Sequence, residues 1–88
     1  MAERTTPERR LAALGAHLGA RGLAVDLTAQ GLRVADAHAA DTITCRARRA
    51  DAGRLWFWTS EGEPIAEADR IIDASMVILG NLARQARQ

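Results

Sequence analysis

The fold is decided by Leu23-Ala24-Val25-Asp26-Leu27-Thr28, the tripeptide Ala29-Gln30-Gly31, and Leu32-Arg33-Val34-Ala35. Leu23, Val25 and Leu27 alternate with smaller or polar residues. Leu32 and Val34 do the same after the tripeptide. A period of two marks strands, and a short connection ending in glycine joins them as a hairpin with one apolar face. The polar and alanine-rich loop 36–41 follows. A third strand is expected over 42–48, with Ile43, Cys45 and Ala47 on one face and Thr42, Thr44, Arg46 and Arg48 on the other. After loop 49–53, Arg54-Leu55-Trp56-Phe57-Trp58-Thr59 is the most β-prone run of the chain.

On either side the period changes to about 3.6. Thr6-Pro7-Glu8 carries a capping side chain, a proline suited to the first helical position and an acid at the positive end of the dipole. Leu11, Leu14 and Leu18 continue as one stripe, which predicts a helix over 7–21. Gly15 and Gly19 on it read as tolerated irregularities of a soluble helix, with a close approach of the backbone as the alternative. At the other end Pro64 opens a second predicted helix over 64–80. Ile65, Ala68, Ile72, Met76 and Leu79 form one stripe, and Ile71, Ile78 and Leu82 a second beside it. Short connections between sequential strands favour a meander. The expected fold is α+β, ordered α-β-β-β-β-α, with an antiparallel meander sheet and two helices on one face. It forms a single domain over 1–88, with 1–6 and 84–88 as frayed tails.

The chain has 88 residues with 12 basic and 11 acidic side chains, for a net charge of +1. Every basic residue is arginine, and 19 residues are alanine. So small a net charge holds neither a nucleic acid nor an anionic membrane by field alone. No apolar run approaches the ~20 residues of a membrane span, and Met1-Ala2-Glu3-Arg4 lacks a hydrophobic signal core. The expectation is a cytoplasmic domain with no membrane partner.

Residues for chemistry are sparse. His17, His38 and Cys45 match no metal-ligand spacing. Cys45, mid-strand beside Ile43, reads as a small buried hydrophobe rather than a nucleophile. Gly15-Ala16-His17-Leu18-Gly19-Ala20 lies within a helix and forms no phosphate loop. Glu61, Glu63, Glu67 and Asp69 surround the expected start of the last helix, where carboxylates complement the dipole. No catalytic residue, metal or cofactor is expected.

Two features point outward instead. Trp56-Phe57-Trp58 puts apolar side chains on both faces of one strand, which indicates either cover on both sides or a binding surface. Arg46, Arg48, Arg49 and Arg54 cluster around it, interrupted by Asp51. Trp56, Trp58, Arg46, Arg48 and Arg54 are the expected partner-binding residues. The run Met76-Val77-Ile78-Leu79 carries more apolar surface than one sheet covers. These four residues are the expected interface of a homodimer, which would also support the thin core of so short a chain.

The stretches Asp41-Thr42-Ile43-Thr44-Cys45-Arg46, Gly53-Arg54-Leu55-Trp56-Phe57-Trp58 and Glu63-Pro64-Ile65-Ala66-Glu67-Ala68-Asp69 resemble a group of small proteins of high-GC actinobacteria with no assigned activity. In topology the expected fold is similar to type III secretion chaperones and YbjN-like domains, although this chain is shorter and not acidic. That resemblance implies a small dimeric, chaperone-like peptide binder. The resulting expectation is a non-catalytic, homodimeric protein- or peptide-binding module. The alternative is a single-stranded nucleic-acid-binding or transcription-regulator-associated module using the arginine hairpin. The net charge and Asp51 argue against a nucleic acid.

Overall fold

A computed structural model describes residues 6–87. The elements are α1 (Pro7–Ala20), β1 (Ala24–Thr28), β2 (Gly31–Ala35), β3 (Ala40–Arg48), β4 (Arg54–Trp58), β5 (Pro64–Glu67) and α2 (Ile71–Ala86), with a 3-10 turn at Arg49–Asp51 between β3 and β4. The strands form one antiparallel meander in the order β1-β2-β3-β4-β5. The α+β class, the meander and the helix at each end are as the sequence predicts.

Thr6 caps α1, its hydroxyl accepting from the Arg9 amide at 3.2 Å. The helix ends where Gly22 donates to the Gly19 carbonyl and Leu23 donates to that of Leu18. The β1–β2 hairpin pairs Leu27 with Leu32 and Val25 with Val34. Gly31 closes it at φ 137°, and a Cβ there would lie 2.4 Å from the Ile43 carbonyl oxygen. Only glycine meets both conditions.

Leu11, Leu14 and Leu18 of α1 and Ala74, Ile78 and Leu82 of α2 enter one core with Leu32, Val34, Ile43, Cys45 and Phe57. α1 touches α2, so both helices lie on the same face of the sheet. Gly15 brings α1 close to that face, because a Cβ at this position would stand 3.0 Å from Leu32 Cδ1.

The predicted second helix is corrected at both ends. Pro64–Glu67 is a fifth strand, and α2 runs from Ile71 to Ala86. Thr59 and Glu63 close a hairpin instead, with the Thr59 amide donating to the Glu63 carbonyl at 2.9 Å and Gly62 donating back to Thr59 at 3.0 Å. Trp58 pairs with Pro64 and Phe57 with Ala66, which leaves Ile65 as a bulged extra residue. Ile65 and Ala66 are therefore neighbours that are both buried. That doublet defeats a period of two and mimics a helical stripe. Gly80-Asn81 does not end α2. Arg84 to Ala86 are helical rather than frayed, and residues 1–5 and 88 lie outside the described residues.

The Gly31→Ala variant is expected to lose about 1–3 kcal/mol of stability, since it combines a strained φ with a backbone clash. Gly80→Ala, with nothing within 4 Å of the added methyl, is expected to gain about 0.5–1 kcal/mol. Denaturant unfolding of the two variants checks both signs.

Candidate functional site

Phe57 is fully buried against the helices, and alternation then turns Trp56 and Trp58 to the uncovered face. The β3–β4 register places Arg46 opposite Trp56 and Thr44 opposite Trp58, with Arg48 opposite Arg54. Diagonal neighbours across antiparallel strands are within reach of long side chains. The Arg46 guanidinium accordingly lies over the Trp58 ring, its carbon 4.7 Å from the centroid, and that of Arg48 lies over Trp56 at 4.3 Å. Both indoles are held at their polar ends too. Trp56 Nε1 donates to Asp51 Oδ2 at 2.8 Å, and Trp58 Nε1 donates to the Arg46 carbonyl at 3.1 Å. Asp51, which reads in sequence as a break in the arginine cluster, is a structural partner of the first tryptophan.

Arg54 extends the same face to the edge, with its Nη1 4.0 Å from Glu67 Oε1 on β5. All five expected partner-binding residues, Arg46, Arg48, Arg54, Trp56 and Trp58, thus lie on one face of two adjacent strands. Both tryptophans and Arg48 are half-buried, and Arg46 and Arg54 are exposed.

The other expected surface is revised. Ile78, assigned by sequence to a dimer interface, is 1% exposed and belongs to the core. Leu79 is half-buried against that core. The outward stripe of α2 consists of Ile72, Met76 and Val77, which are 62%, 64% and 40% exposed. Ile72 and Met76 are four residues apart, so the spacing carried this signal. A third apolar place was not anticipated. Val25 and Leu27 are exposed on the edge strand β1, beside an open groove of about 360 Å³ that Ala12, Gly15, Ala16 and Gly19 of α1 also line. The sequence predicts Val25 and Leu27 on a buried face. β1 has no outer neighbour, and α1 covers it only in part.

Groups with catalytic potential are dispersed. No cluster of three or more His, Cys, Asp or Glu suited to a metal occurs among the described residues. His38 is exposed, and His17 Nε2 is buried without a hydrogen-bond partner among the described residues. A polar cleft of about 230 Å³ lies between Asp41, Glu61, Glu63 and Arg84, where Asp41 Oδ1 accepts from the amides of Thr42 and Ser60. No described helix is long and apolar enough to cross a membrane. No family model, curated protein or solved structure matches the chain.

Burial pushes the Cys45 thiol up from 9.0 to about 11. At pH 8 only roughly a thousandth of it is then thiolate, and the thiolate is the nucleophile. Alkylation by iodoacetamide at pH 8 is expected to be far slower in the folded chain than in denaturant. The folded state also retains the proton where the unfolded chain has lost it, so stability is expected to fall as pH rises from 9 to 11. Equal labelling rates in the two states would show that Cys45 is accessible.

Proposed function

We propose that this chain is a small, non-catalytic protein- or peptide-binding module that acts as a homodimer. The reading is carried by the open face of β3 and β4, where two indoles are clamped by guanidinium groups and by hydrogen bonds at both Nε1 atoms. Tryptophan and arginine are the residues that most often dominate binding energy at protein interfaces. Clamped in place, they lose little rotamer freedom on association, which lowers the cost of binding. The distribution of reactive groups fits a non-catalytic role: the thiol is buried and protonated, and the two histidines lie apart, one on α1 and one in the β2–β3 loop.

The nucleic-acid reading needs bases to stack on the tryptophans. Arg46 and Arg48 already lie over those rings. That cover weighs toward a protein ligand. For the dimer, the support is the outward stripe Ile72, Met76 and Val77 on α2, with Leu79 at its margin. Grouped large apolar side chains on a soluble surface mark association sites. The resemblance to dimeric secretion chaperones concerns topology and belongs to this same reading.

Affinity capture from the source cell tests the binding function. The wild type is expected to retain a protein after nuclease treatment that a folded Trp56→Ala/Trp58→Ala variant loses. Capture of nuclease-sensitive nucleic acid in its place would overturn the reading. Light scattering at micromolar concentration is expected to report about twice 9.5 kDa, and Met76→Glu is expected to halve that mass. A wild-type monomer across a hundredfold dilution would remove the homodimer.

A further inference from the structure

The uncovered face of β3 and β4 carries a charge pattern that specifies more than a generic protein ligand. Arg46 and Arg48 are two residues apart on one strand, so their guanidinium groups leave the sheet about 7 Å from each other. Each lies over an indole. Neither has a carboxylate or carbonyl partner among the described residues. Two acids beside this face have other partners, Asp51 in Trp56 Nε1 and Glu67 in Arg54. Arg48 also stands directly opposite Arg54 in the register, which puts a third arginine on the same face. The face therefore holds two planar forks, already oriented by stacking, with their donor edges unfilled.

We infer that this face receives an extended acidic segment of a partner protein, with carboxylates at alternate residues aligned along β3. The inference rests on the protein-binding reading and narrows it to one chemistry. In an extended chain residues i and i+2 are also about 7 Å apart on one side, so two carboxylates meet Arg46 and Arg48 together. A guanidinium fork takes a carboxylate through two parallel N–H donors, and stacking on tryptophan leaves those donor edges free. The phosphates of a single strand would satisfy the same charges, but its bases would meet indoles that are already covered.

Tryptophan fluorescence and a nitrogen-edited NMR titration of the full chain test this with three octamers. One carries aspartate at alternate positions, one carries asparagine in their place, and one is oligothymidylate. The aspartate peptide is expected to bind weakly, to shift Arg46, Arg48, Trp56 and Trp58, and to lose affinity as salt rises. The asparagine peptide is expected to bind at least tenfold more weakly. Arg46→Lys/Arg48→Lys keeps the charge and loses the fork, and is expected to weaken binding severalfold with an unchanged circular dichroism spectrum. Equal binding of the aspartate and asparagine peptides would overturn the acidic assignment and leave the protein-binding reading standing. Tighter binding of oligothymidylate with strong quenching would overturn both. No response to millimolar aspartate peptide would overturn the acidic assignment.

Discussion

Phe57 has no solvent exposure, and it pairs with Cys45 on one side and Ala66 on the other. Its burial against the two helices sets what every neighbouring side chain does. With Phe57 inward, the pleat turns Trp56 and Trp58 outward. With Cys45 inward beside it, Arg46 and the residues two steps away are carried to the same outer face. A slip of one residue between β3 and β4 would drive Arg46 toward the core, where an unpaired charge costs several kcal/mol. The arginine–tryptophan ladder thus follows from the core register. It is also the reason that an apolar strand can present one face to solvent without leaving its indoles bare.

The parts of the fold that were legible in the sequence are those with an unbroken period. Leu11, Leu14 and Leu18 give α1, and the alternation from Leu23 to Val34 gives the first hairpin. The fifth strand was hidden by one bulge. Ile65 and Ala66 both point inward, so the inward positions Ile65, Ala66 and Ala68 match a helix as well as they match a strand. Pro64 strengthens that misreading because it suits both the first turn of a helix and the start of an edge strand. The candidate site was legible as a set of residues but not as a structure. Alternation groups Trp56 with Trp58 and Arg46 with Arg48. The diagonal pairing and the bond from Trp56 to Asp51 depend on strand register and on the 3-10 turn that returns Asp51 to the sheet.

The two faces of α2 illustrate the same limit. Ile71, Ile78 and Leu82 form the stripe that faces the sheet, with Ala74 and the buried Ser75 between them. The Ser75 hydroxyl is satisfied by the Ile72 carbonyl at 2.7 Å. Ile72, Met76 and Val77 are left on the far side. Sequence showed an excess of apolar residues, and only the packed structure divides that excess into core and surface. The molecule consequently offers two chemically different surfaces. One is an aliphatic stripe on a helix, suited to a flat apolar contact. The other is a polar and aromatic face on a sheet, where two arginines lie over two indoles.

Arg46 and Arg48 are held over particular indoles, each over the ring diagonal to it. The most direct measurement is the proton shift of each arginine Nε–H in a nitrogen-edited NMR spectrum of the wild type and of the single variants Trp56→Ala and Trp58→Ala. Upfield ring-current shifts are expected for both arginines in the wild type. Trp58→Ala should release only Arg46, and Trp56→Ala only Arg48. Unshifted Nε–H signals in the wild type, or both arginines responding equally to either substitution, would contradict it.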